Sequence, residues 1–111
     1  MIDEFVSSYV LAALWASSDS DEESLADHIL SDTALAEMRR DCESFVLANF
    51  ADIEGRYADA GHDFWLTRNG HGAGFWDGGW PEDVGARLTD AARVYREVNL
   101  YIGDDGLVYT W

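Results

Sequence analysis

The chain has 111 residues, enough for one domain built round one core. With 48% hydrophobic and 14% aromatic residues it is too apolar for a disordered segment. Its 22 acids face 7 arginines and no lysine, and the net charge of −15 excludes a phosphate-binding surface and disfavours an anionic membrane.

Cys42 is the sole cysteine, so no internal disulfide forms and nothing points to an oxidising compartment. The opening MIDEFVSS carries acids where a secretory leader carries bases. The most apolar stretch, Tyr9 to Ala16, falls far short of the ~20 residues a membrane helix needs. A cytoplasmic protein is expected.

Ile2, Phe5, Val6, Tyr9, Val10, Ala13 and Leu14 recur at helical spacing and predict a first helix. Ser17 to Ser20 interrupts it, and Asp21-Glu22-Glu23 suits the first turn of a short second helix near 21–30. Asp32 reads as the N-cap of a third helix. Its stripe is Leu35, Met38, Cys42, Phe45, Val46, Asn49 and Ile53, and it ends at Gly55.

Residues 62–68 and 75–77 read as two strands joined by the glycine-rich reversal 69–74. Pro81 opens a helix running to about Tyr95, with Val84, Leu88, Ala91, Ala92 and Tyr95 inward. The segments 98–102 and 107–111 flank Asp104-Asp105-Gly106, a hairpin signal. The expectation is a single α+β domain of order αααββαββ: an acidic helical half (1–56) packed on a ββαββ half with a small antiparallel sheet (62–111).

Sites of chemistry are scarce. Asp19, Asp21 and Glu23 imitate the start of a calcium loop, but Ser24 and Leu30 stand where that loop needs glycine and a bidentate glutamate. Cys42, His28, His62 and His71 lack zinc-ligand spacing, although His62 and His71 could meet across the first hairpin beside Asp63 and Arg68. Gly70 to Gly74 lacks the lysine of a phosphate loop. Cys42 falls on a buried stripe and no serine sits in a nucleophile elbow. The sequence therefore predicts no catalytic residue, no metal and no cofactor.

Two surfaces remain. Alternation puts aromatic rings on both faces of both predicted hairpins; core packing is the default reading of the rings, and its rival makes Trp65 and Trp76 candidate contacts with a partner or a second copy. In the last hairpin, Leu100, Ile102 and Val108 oppose Tyr101, Tyr109 and Trp111. The second surface is charge. Residues 1–63 hold 15 acids and 3 arginines, and Glu23/Asp27 and Glu37/Asp41 stack like charges one turn apart. Asp19, Asp21, Glu22, Glu23, Asp27, Asp32, Glu37 and Asp41 are expected to form one continuous anionic stripe that imitates DNA phosphates. Its partner would be a basic protein groove, not nucleic acid. The bland rival is acidity for solubility or high salt, beside an aromatic interaction module.

The stretch His62 to Asp77, HDFWLTRNGHGAGFWD, followed by Tyr101 to Gly106, YIGDDG, resembles a block of small acidic phage-borne proteins of unknown function. It covers less than half the chain. The resemblance implies a phage or mobile-element origin, a class that includes anti-CRISPR and anti-restriction proteins, several of them DNA mimics. It therefore implies an anti-defence inhibitor acting in the host cytoplasm on a basic DNA-binding defence protein such as a CRISPR effector subunit.

Overall fold

The computed structural model describes residues 2–16, 28–70 and 73–111. The predicted first helix is α1 (Ile2–Ala16), which buries Phe5, Val6, Tyr9, Ala12 and Ala13. The long helix is α2 (Asp32–Ile53). Its cap is Ser31, one residue before the expected Asp32: Ser31 Oγ accepts from Ala34 N at 3.1 Å, while Asp32 places its carboxylate in the first turn. Of the predicted stripe, Met38, Cys42, Phe45, Val46 and Ile53 are buried and Leu35 is exposed. The helix kinks at Asn49, whose Nδ2 donates to Phe45 O at 2.9 Å.

The third helix, α3 (Tyr57–Arg68), overturns the strand expected over 62–68. Tyr57, Ala60, Gly61, Phe64, Trp65 and Arg68 recur at i, i+3, i+4, i+7, i+8 and i+11, and all are buried. That period outweighs the short alternation of Phe64 to Thr67. Gly61 lies where α1 crosses α3; a Cβ there would collide with the Phe5 carbonyl oxygen. The absent side chain lets the backbones approach, and Ser8 Oγ donates to Ala58 O at 2.5 Å across the same seam.

Residues 75–77 form turns, not a strand. Thr67 Oγ1, buried at the end of α3, accepts from Phe75 N at 3.1 Å, and Asp77 Oδ2 accepts from Gly74 N at 3.3 Å. These side-chain bonds take the place of a strand ladder and drop Phe75 into the core. Pro81 then caps α4 (Glu82–Arg93), which buries Gly85, Leu88, Thr89 and Ala92.

The last predicted hairpin is present as β1 (Leu100–Ile102) and β2 (Val108–Thr110), antiparallel, with Tyr101 opposite Tyr109. Leu30 bridges Val108 in parallel on the other edge of β2. Residues 28–30 are therefore not helical; the rest of the short helix expected near 21–30 falls outside the described residues.

The described residues are helix-dominated, with four helices and one two-stranded hairpin, in place of the expected αααββαββ order with four strands. Phe45 and Phe64 stack at 4.2 Å at the centre of the core, ringed by Phe5, Tyr9, Phe75 and Tyr95.

Candidate functional site

Electrostatics come first. Arg39 pairs with Asp3 at 2.8 Å and Glu43 at 3.2 Å, Arg56 with Asp59 at 3.0 Å, and Arg87 with Asp52 at 2.8 Å. The guanidiniums hold the Asp3 and Asp52 carboxyls below their ordinary range, chiefly by hydrogen bonding. Four of the seven arginines, these three and Arg68, are thus tied to the protein's own acids.

Arg68 closes the end of α3, its side chain 3% exposed. Its Nη1 donates to Asp41 Oδ2 at 2.9 Å and to the Tyr9 hydroxyl at 3.1 Å. Its Nη2 donates to Tyr95 O and its Nε to Arg96 O, both at 2.8 Å. One fork therefore joins α1, α2 and α3 to the turn after α4, where Arg96 takes a left-handed φ of 64°.

Among the acidic candidates, Asp19, Asp21, Glu22, Glu23 and Asp27 lie outside the described residues. Asp32 is exposed. Glu37 Oε2 accepts from Thr110 Oγ1 at 2.5 Å, and Asp41 belongs to Arg68. Five residues of helix rotate Glu37 by about 140° from Asp32, so these two do not share a row. Of the described candidates, α2 presents a Glu37/Asp41 corner with Arg40 beside it, not a stripe through Asp32.

Trp65 is 1% exposed, set edge-on against Tyr9 at 5.4 Å, and so is a core residue rather than a surface contact. Trp76 is 51% exposed and borders a shallow cleft with Phe75, Trp80 and Pro81. Asp63 Oδ2 accepts from Trp80 Nε1 at 2.7 Å and its other oxygen meets His62 Nδ1 at 3.1 Å, so the aspartate expected beside Arg68 anchors an indole instead. His71 lies outside the described residues, and among those described no three His, Cys, Asp or Glu side chains converge on a metal position. Burial pushes the Cys42 thiol up, away from thiolate chemistry.

The exposed aromatic face is on the C-terminal hairpin. Val108 points into the core, so Tyr101 and Tyr109 point out; their rings stack at 5.6 Å and Trp111 follows, 74% exposed. The Tyr109 hydroxyl donates to Asp105 Oδ2 at 2.6 Å, and Leu107 N donates to Asp105 Oδ1 at 3.0 Å. The Tyr109 bond, first among the causes, lowers the Asp105 pKa and raises that of Tyr109. A cavity of about 260 Å³ opens between this hairpin and α2, bordered by Glu37, Arg40, Asp41, Glu97 and Trp111 with Arg68 at its floor. Aromatic faces beside carboxylates favour guanidinium and ammonium groups. Tyr101, Tyr109, Trp111, Asp104 and Asp105 are thus candidate contact residues outside the eight acids, and the alternation in 98–111 carried the signal.

Among the described residues no helix is long and apolar enough to cross a membrane. Comparison of the chain with protein-family models, with curated protein sequences and with solved structures finds no match.

Proposed function

We propose that this chain is a non-catalytic inhibitor whose anionic surface occupies the basic DNA-binding groove of a host defence protein, with a CRISPR effector subunit as the partner and the host cytoplasm as the place of action. The observation that carries the reading is the partition of charge: 22 acids against 7 arginines, with four of those arginines turned onto carboxylates of the same chain. Those cations are neutralised by the chain's own carboxylates, so the surplus acids set the net charge that a partner meets. Such a surface repels duplex DNA and is steered toward lysine and arginine arrays built for phosphates.

The test is displacement. The chain is titrated into a CRISPR effector bound to a labelled duplex, and the released DNA is measured from about 50 to about 300 mM salt, a range over which phosphate-type contacts weaken steeply. Release that fades with salt, and that is lost when Glu23, Asp27 and Glu37 are changed to their amides, supports mimicry. Asp41 is left intact because its loss would unpair buried Arg68. Equal release by the neutralised variant overturns it.

The outward row Tyr101, Tyr109 and Trp111 favours a second reading, an aromatic interaction module whose acidity serves only solubility or high salt. Partner capture that survives high salt but is lost in Trp111→Ala would select it. A second copy is a poor occupant at low salt, since each brings a charge of −15.

A further inference from the structure

The outer edge of β1 has no partner. Asn99 and Trp111 exchange both backbone hydrogen bonds at 3.0 Å, and Gly103 N donates to Leu107 O at 2.8 Å. Antiparallel alternation then turns the backbone of Tyr101 toward β2 and the N–H and C=O groups of Leu100 and Ile102 away from it. Among the described residues nothing bonds those four groups. Edge strands are ordinarily shielded by lysine, proline or a bulge, and residues 98–103 carry none; brevity is their only guard.

The chemistry round this edge is one-sided. Asp104 and Asp105 stand at one end and Glu97 at the other, all exposed, with Arg96 the neighbouring counter-charge. Tyr101, 46% exposed, and Ile102 present apolar surface alongside. An added strand would meet main-chain bonds along its length and carboxylates at both ends.

We propose that β1 is a docking edge for an extended, arginine- or lysine-rich segment of a partner protein, bound by strand addition. This rests on the reading of the chain as a binder of cationic proteins and names the contact that charge alone does not supply. The occupant is a basic polypeptide rather than a second copy, because acids flank the edge and two chains of −15 repel.

The test uses the intact chain and two capped peptides of equal charge, one alternating arginine with valine and one alternating arginine with proline, which cannot form a strand. The valine peptide should bind more tightly by about tenfold, the worth of one or two backbone hydrogen bonds, and should slow amide exchange at Leu100 and Ile102. Ile102→Pro removes an outward N–H and leaves the Tyr101–Tyr109 ladder bonds in place, so it should cancel that preference while the helical circular dichroism and melting point hold. A second variant, Leu100→Pro, repeats the test should Ile102→Pro lose the hairpin. Equal binding of the two peptides, or an undiminished preference in the folded proline variant, overturns strand addition and leaves the anionic surface standing. Binding of neither peptide at low salt overturns both readings. Self-association of the chain abolished by Ile102→Pro would assign the edge to a second copy and refute the basic-segment proposal.

Discussion

Replacing Arg68 by methionine tests the arrangement that joins the helices to the hairpin. Methionine fills the space of the aliphatic stem, so the loss is confined to the fork. That fork makes four bonds of 2.8 to 3.1 Å, to Asp41, Tyr9 and the carbonyls of Tyr95 and Arg96. Breaking a fully buried pair costs about 3–5 kcal/mol, but the Asp41 side chain keeps 27% of its exposure, so about 2 is the discounted figure. Each carbonyl left without its donor adds about 1 kcal/mol. The expected loss is about 4 kcal/mol, a large part of the ~5–15 that holds a domain of this size, and a fall in melting temperature of about 15 °C. Arg68→Lys keeps the charge but not the planar fork and should cost about half as much, and Asp41→Asn, which keeps an acceptor oxygen, about 1 kcal/mol. Urea unfolding followed by tryptophan fluorescence gives the three values, and amide exchange should show the hairpin loosening first in Arg68→Met. A methionine variant within about 1 kcal/mol of the parent, or a larger loss from Asp41→Asn, would refute the assignment of Arg68 as the tie between core and hairpin.

Gly61→Ala should destabilise by about 2 kcal/mol although alanine is the better helix former by about 1, because the new methyl meets the Phe5 carbonyl; a raised melting point would mean that α1 and α3 separate without cost. Trp65→Ala should cost about 3–5 kcal/mol and Trp76→Ala less than about 1, as their burial requires, and equal losses in urea titrations would contradict the placement of the two rings. The Asp105–Tyr109 bond has a pH window with two edges. The lowered Asp105 pKa gives a contribution present above roughly pH 4 and lost as pH falls through the folded value, and the raised Tyr109 pKa gives one present below roughly pH 10 and lost as pH rises through the folded value. Tyr109→Phe should flatten the hairpin's exchange protection at both edges, and an unchanged profile would remove the bond from the account. Added salt should raise the melting point at neutral pH, since screening a net charge of −15 outweighs the weakening of exposed pairs worth about 0–1 kcal/mol each; a falling melting point would reverse that balance.

Among the described residues, three of the four helices and the last hairpin were legible because their apolar residues repeat for several turns or flank an Asp-Gly reversal. The α3 helix was not, and two residues explain why. Gly61 counts as a breaker and Arg68 as a surface residue in any reading by residue type, yet both lie on the inner face. The glycine is needed for a close helix crossing, and the arginine is buried with its carboxylate. With those two positions discounted, only Phe64 to Thr67 remained, and four residues of alternation imitate a strand. Trp65 followed the same error onto a surface it does not reach. The acid stripe failed on α2 for a related reason: spacing along a helix shows which side chains are neighbours, whereas Asp41 had already been claimed by a residue 27 positions away.

The absence of lysine acquires a structural meaning. Arg87 grips both Asp52 oxygens, through Nε at 3.1 Å and Nη2 at 2.8 Å, and Arg39 divides its fork between Asp3 and Glu43. Arg68 serves four partners at once. Lysine, a point charge on a flexible stem, would not hold two oxygens in a fixed plane. The pairs also fall at seams: Asp3–Arg39 joins α1 to α2, Asp41–Arg68 joins α2 to α3, and Asp52–Arg87 joins α2 to α4. A chain this negative repels itself, and these three cations work where the repulsion would part the helices. Each of these pairs uses a cation on the chain's own acids, so the contacts that hold the helices together leave the surplus of carboxylates, a net charge of −15, uncompensated.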